Sequence, residues 1–279
     1  MATNQMRREA AKRKLVRQQE RRAARARRRQ RVTIITSVAG VVVVVVGIVL
    51  VSTLTSGDSG TADPAAAPTT AAPTTAARVP GECSFVPTPG EPAARPAPVP
   101  TVTTAETTGT LAATLRTDRG PIPLTLDRAP GPCAVENFIS LVNAGYYDET
   151  PCHRLTTSDT LKVLQCGDPT GQGTGGPGYT VNDEPPTTLA PAPAGDGTVI
   201  YPRGTLAMAK AAAPDSGGSQ FFLVYADSTL PPDYTVFGTI GEEGLATLDA
   251  IAAAGSDDSN GTGDGAPVTP VTVQAATIG

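Results

Sequence analysis

Residues 152–184 read CHRLTTSDTLKVLQCGDPTGQGTGGPGYTVNDE, and the order of signals within them restricts the fold more than any other stretch of the chain. Cys152 and Cys166 flank what reads as two adjacent antiparallel strands joined by a loop, and a glycine-rich loop follows. Gly171, Gly173 and Gly176 reproduce the G-x-G-x-x-G dinucleotide spacing. That motif has to follow a strand and open a helix so that the helix N-terminus meets the pyrophosphate. Here Pro177 and Gly178 come next, followed by the strand-like Tyr179-Thr180-Val181, so nucleotide binding is set aside. His153 is the only histidine of the 279 residues. Its solitude excludes HExxH zinc sites, two-histidine metal centres and every Ser-His-Asp scheme not built on it. Few familiar hydrolase readings survive.

Outward from this stretch the chain alternates short apolar runs with Gly and Pro. Thr110 to Arg116 and Gly120 to Leu126 read as a hairpin. Pro132 to Ala144 reads as a helix, with Pro132 at its start, Gly145 as its stop, and Val135, Phe138, Ile139 and Val142 at helical spacing. Strands are predicted at Gly204 to Ala209, Gln220 to Tyr225, Tyr234 to Ile240 and Val268 to Gln274, with a second helix over Glu243 to Ala254. Asp257, Asp258, Asn260 and Asp264 hint at a calcium loop, but no Glu closes a twelve-residue loop, and a solvated turn is the reading kept. The fold class is mainly β: an eight-stranded antiparallel barrel closed at its ends by two helices.

Six pieces in order carry a resemblance: His153-Arg154, Gln165 ahead of Gly167-Asp168, the glycine-rich loop, Met208-Ala209, Gly218-Ser219-Gln220-Phe221-Phe222, and Val236-Phe237-Gly238, with Glu136-Asn137-Phe138 on the first helix. At these residues the sequence resembles the cyclophilin family of peptidyl-prolyl isomerases, over about residues 109–279. The resemblance implies that Arg154 is the catalytic arginine, that Gln165 holds the substrate backbone, and that Phe222 forms the proline pocket with Ala209. Gln220 and Met208 line the same groove. His153 matches a family histidine that carries no chemistry and is read as structural. This sequence departs from the pattern at the rim. Ten residues separate Arg154 from Gln165, three more than in the family, and the aromatic expected there is missing, so Leu161 or Val163 fills its place. The family's tryptophan has Thr229 or Leu230 in its stead, and Tyr234 stands where many members have histidine.

The rest of the chain is organised differently. Residues 1–31 hold 13 basic and two acidic residues, whereas the whole chain has 22 and 26, so a basic head precedes an acidic body. Residues 32–54 form an uncharged run which, at about 1.5 Å per residue, spans roughly 34 Å, enough for a bilayer core. It is longer than a secretory signal core and lacks a small-x-small cleavage site, so it is read as an uncleaved membrane anchor. The positive-inside rule then leaves the N-terminus cytoplasmic and everything after residue 54 outside. Topology alone accounts for the basic charge, and no nucleic acid is invoked. Residues 57–107 contain ten of the 27 prolines. With Ala and Thr filling most of the rest, residues 55–108 read as an extended linker, leaving 109–279 as one domain.

Four cysteines, Cys83, Cys133, Cys152 and Cys166, with no CxxC pair, suggest two disulfides outside the membrane, four reduced thiols being the alternative. Adjacent strands would bring Cys152 to Cys166, which leaves Cys83 with Cys133. The function expected is isomerisation of prolyl bonds in proteins that fold outside the membrane. The rival is a non-catalytic proline-peptide-binding module on a membrane stalk.

Overall fold

The computed structural model of the chain describes residues 79–279. The predicted basic head and membrane helix lie outside the described residues. Among the described residues no helix is long and apolar enough to cross a membrane.

The hairpin forms as its alternation dictates. Strand β2 (Thr110–Thr117) pairs with β3 (Gly120–Asp127) in register from Thr110↔Asp127 to Thr117↔Gly120. Leu115, Ile122, Leu124 and Leu126 point inward, as period-two burial on one face requires. The remaining strands of this sheet are β4 (Thr150–Pro151), β5 (Arg154–Thr156), β6 (Val163–Cys166), β9 (Thr205–Met208), β10 (Phe221–Val224), β12 (Val236–Ile240), β13 (Asp264–Gly265) and β14 (Thr272–Ile278). Their order is β13-β5-β6-β10-β9-β12-β3-β2-β14-β4, and every pairing is antiparallel. Only Cys152 and His153 separate β4 from β5. The first pairs with β14 and the second with β6, so the sheet curls back on itself through this interrupted strand. Ten strands thus stand where eight were expected, because one is split in two and the short β13 adds to the edge of β5. The closing strand also lies further along than predicted. Pro270 has no N–H for the ladder and Val268 is exposed, so pairing with β2 starts at Val273 and runs to Ile278.

Helix α1 (Pro132–Asn143) has proline at its start and no cap from Gly131. A remote carboxylate replaces the cap: Glu184 accepts the amides of Cys133 and Ala134, each at 3.0 Å, where the helix dipole favours negative charge. Val135, Phe138, Leu141 and Val142 enter the core. Helix α2 (Glu242–Ala253) buries Leu245, Leu248 and Ile251, and packs on β3. Gly238 is set by close approach: a Cβ there would meet the Thr125 carbonyl at 2.6 Å.

The linker is corrected at its C-terminal end. Residues 79–108 belong to the same compact unit as the sheet. Within them β1 (Phe85–Pro87) pairs with β7 (Tyr179–Val181), and Cys83 and Ala105 are buried in the main core. Both disulfides are formed, Cys83–Cys133 with Cα atoms 5.3 Å apart and Cys152–Cys166 with Cα atoms 4.0 Å apart. The first ties this arm to α1, and the second joins the link between β4 and β5, two residues before Arg154, to the end of β6, which carries Gln165.

Candidate active site

The two faces of the central strands have different destinations. Phe221 and Leu223 of β10 and Leu206 and Met208 of β9 point into the main core, while Phe222, Val224 and Ala207 point to the opposite face. There a small ribbon, β8 (Val199–Tyr201) with β11 (Ser228–Leu230), supplies Tyr201 and Leu230. Tyr201, Phe222 and Tyr234 meet edge to face, with centroids 5.6 to 6.3 Å apart, an arrangement that suits aromatic quadrupoles. The result is a cavity of about 140 Å³ lined by Arg154, Gln165, Phe222, Ala209, Leu161, Val163, Leu230, Tyr234 and Lys210. Most of the residues expected to bind substrate therefore converge. Met208 does not, because the alternation of β9 turns it into the core. Gln220 lines instead a larger neighbouring cavity of about 410 Å³, which Gln165 and Ala209 share and to which the arm contributes Thr88, Glu91 and Pro92. Leu161 and Val163 both line the smaller cavity, and Leu230 rather than Thr229 reaches it.

Cross-strand register sets the polar side of the cavity. Arg154 lies opposite Gln165 on β5 and β6, and Gln165 lies opposite Phe222 on β6 and β10. Nη1 of Arg154 donates to Oε1 of Gln165 at 3.3 Å, and Nε2 of Gln165 donates to Oε1 of Gln220 at 2.9 Å. Nε2 of Gln220 donates in turn to the carbonyls of Gly173 and Gly175 in the glycine-rich loop. A line of donors and acceptors thus runs along one wall. Arg154 also makes a bidentate pair with Asp264, Nε to Oδ1 at 2.8 Å and Nη2 to Oδ2 at 2.6 Å. Those hydrogen bonds push the guanidinium pKa further up and hold the Asp264 carboxyl below the usual carboxylate range. With 33% of the Arg154 side chain still exposed, the cation faces the cavity and is not sealed under it.

A buried polar network behind the site holds the backbone. Asn137 of α1 donates to the Gly218 carbonyl and accepts from the Tyr179 hydroxyl. Tyr147 donates to the Ser219 carbonyl, and the Ser219 hydroxyl donates to the Gly167 carbonyl. Gly167 has φ of +94°, and a Cβ there would collide with Ser219, so only glycine fits between the strand ends bearing Gln165 and Gln220. Burial pushes the Tyr146 phenol up to about 12 and Tyr147 well above its ordinary value, so both stay neutral. Asp168 organises the glycine loop. Burial opposes its charge, but the Gly175 amide and the hydroxyl and amide of Thr170 hold it below the usual range. Burial lowers the His153 pKa, and neither ring nitrogen has a hydrogen-bond partner among the described residues. The neutral imidazole packs beneath Gly173 as a structural group.

Sequence reasoning missed Asp264, Lys210 and Tyr201. Asp264 belonged to a run read as a solvated turn. Lys210 directly follows Ala209, and its neighbour's place in the groove was the available signal. Tyr201 lies on a ribbon strand with no predicted counterpart.

A curled antiparallel sheet carries an apolar pocket around Phe222 with the Arg154 guanidinium at its edge. Residues 112–278 match the family model described as cyclophilin type peptidyl-prolyl cis-trans isomerase/CLD, and the chain belongs to that family. Among curated proteins it is 50% identical over 196 residues to a probable peptidyl-prolyl cis-trans isomerase B of Mycobacterium leprae, covering 69% of this chain and 65% of that protein. It is 46% identical over 215 residues to the protein of the same description from Mycobacterium tuberculosis, covering 76% of this chain and 68% of that one. A crystal structure of a Cryptosporidium parvum cyclophilin type peptidyl-prolyl cis-trans isomerase in the presence of the dipeptide ala-pro is 29% identical, with a TM-score of 0.47, covering 60% of this chain and 98% of that one.

Proposed function

We propose that this protein catalyses cis-trans isomerisation of X-Pro bonds in polypeptides outside the cytoplasmic membrane, to which residues 32–54 anchor it. The observation that carries the reading is the placement of the Arg154 guanidinium on the rim of the Phe222 pocket, fixed against Gln165. Delocalisation of the nitrogen lone pair gives peptide rotation a barrier of about 18–20 kcal/mol, and X-Pro bonds isomerise over tens to hundreds of seconds unaided. During rotation the prolyl nitrogen loses conjugation and becomes a better hydrogen-bond acceptor. A fixed cationic donor beside it binds the twisted state more tightly than either planar one. Phe222, Ala209 and Leu230 hold the ring, Gln165 holds the preceding backbone, and Arg154 supplies the donor. Lowering the barrier by about 7 kcal/mol corresponds to an acceleration on the order of 10⁵-fold.

The location rests on the thirteen-to-two charge bias ahead of residue 32 and on the disulfides, which suit an oxidising compartment. A reporter fused after Gly279 is expected to work only if it functions outside the cytoplasm, and activity of a strictly cytoplasmic reporter there contradicts the anchoring. The enzymatic reading is tested with the full-length chain on Ala-Pro peptides. Wild-type acceleration that Arg154→Ala abolishes supports it. Proline-peptide binding without acceleration favours the non-catalytic module.

A further inference from the structure

Rotation about a prolyl bond calls for a donor, not for a carboxylate, yet a carboxylate grips the donor here. The chain builds a specific device to deliver it. Strand β13 adds to the free edge of β5, with Asp264 opposite Thr156 and Gly265 opposite Leu155, and the Thr157 amide donates to the Gly263 carbonyl at 2.8 Å. Two acidic residues of the preceding loop work within it. Asp257 accepts the amides of Ser259 and Ala266, and Asp258 accepts the Gly263 amide at 2.9 Å. Asp264 faces out of the loop, onto Arg154, with Asn260 donating to its Oδ1 at 3.2 Å. Of the five N–H donors of an arginine, the Nε–H and one on Nη2 go to Asp264, and one on Nη1 goes to Gln165. One hydrogen on each terminal nitrogen remains for substrate. Because the guanidinium is planar, fixing Nε and Nη2 on one carboxylate also fixes the direction of those two hydrogens.

We propose that Asp264 is a positioning residue for isomerisation, clamping the Arg154 guanidinium in the plane that meets the twisted prolyl amide. The proposal rests on the catalytic reading of Arg154 above. In its absence the long arginine stem samples several rotamers, and misplacement on the ångström scale costs rate while leaving the ring pocket intact.

The test uses the full-length chain. Asp264→Asn, which keeps the shape but loses the ionic pair, is expected to lower kcat/KM on an Ala-Pro peptide by about ten- to a hundredfold. Ground-state affinity for the same peptide is expected to stay within about twofold. In an Arg154→Lys background, where no bidentate fork exists, the same substitution is expected to have no further effect. By nitrogen-proton NMR, the Arg154 Nε–H resonance should be protected from exchange in the wild type and lose that protection in Asp264→Asn while other resonances stay in place. Asp264→Glu, which retains the charge, should recover part of the rate. The proposal is overturned if Asp264→Asn keeps wild-type kcat/KM, or if it lowers the rate equally in the Arg154→Lys background, since the loss is then structural. A wild-type chain with no isomerase activity sinks the catalytic reading itself. The Nε–H resonance reports the clamp without turnover and so distinguishes the two failures.

Discussion

Replacing Cys83 and Cys133 together by alanine removes the link between the arm and α1 without leaving a lone buried thiol. The bridge closes a loop of 50 residues, for which the chain-entropy relation gives about 4 kcal/mol of stabilisation at 25 °C. For a unit of this size each kcal/mol moves Tm by about 2–4 °C, so the double variant should melt about 8–16 °C lower than the oxidised protein. The arm keeps its other ties, including the Thr88 amide on the Gly178 carbonyl at 2.9 Å and the Ala94 amide on the Gly176 carbonyl at 2.8 Å. Those contacts hold the wall of the larger cavity, whereas no arm residue lines the smaller one. Turnover of a short Ala-Pro peptide well below the new Tm should therefore stay within about threefold of wild type. Calorimetry or thermal circular dichroism under non-reducing conditions reads the first effect, and a coupled isomerisation assay reads the second. A Tm lowered by less than about 3 °C would show that the bridge adds little to an arm already held by its hydrogen bonds.

Other perturbations address the site. Phe222 is 5% exposed and floors the ring pocket, so Phe222→Ala should cost about 3–5 kcal/mol in urea unfolding and weaken proline-peptide affinity as well as turnover; unchanged affinity would place the ring elsewhere. Burial lowers the pKa of His153 below its ordinary 6.5, so the unfolded chain binds the proton more readily than the folded one. That contribution is fully present above 6.5 and is lost as pH falls below it. Since His153 is the only histidine, stability should decline from pH 7.5 to 5.5 in the wild type and not in His153→Gln, and parallel profiles would show that the imidazole is not buried as neutral.

What the sequence revealed depended on how each part is held. The hairpin and both helices were legible because their burial follows periods of two and of about 3.6, and Pro132 and Gly145 mark the helix ends. Arg154, Gln165 and Phe222 were singled out only through the family resemblance carried by the ordered pieces, and the register brings them to one cavity on neighbouring strands. Met208 was misplaced by one step of β-strand alternation, although its neighbour Ala209 reaches the groove. The arm over residues 79–108 was not legible. It is secured by a disulfide, by backbone hydrogen bonds to the glycine loop and by small buried residues such as Ala105, none of which leaves an apolar period in a proline-rich stretch. Asp264 was hidden for a related reason: two residues of edge strand, with no pattern of their own, deliver it to a partner 110 positions away.

The most direct test of the account is the comparison of Arg154→Lys with wild type in full-length protein, measuring kcat/KM on an Ala-Pro peptide alongside the Kd for the same peptide. Lysine keeps the charge but loses the planar fork that Asp264 and Gln165 orient. The account predicts a fall in kcat/KM of at least about a hundredfold with Kd changed by no more than about threefold, the mark of an interaction made mainly in the transition state. Turnover close to wild type in Arg154→Lys, with the fold intact by circular dichroism, would contradict it.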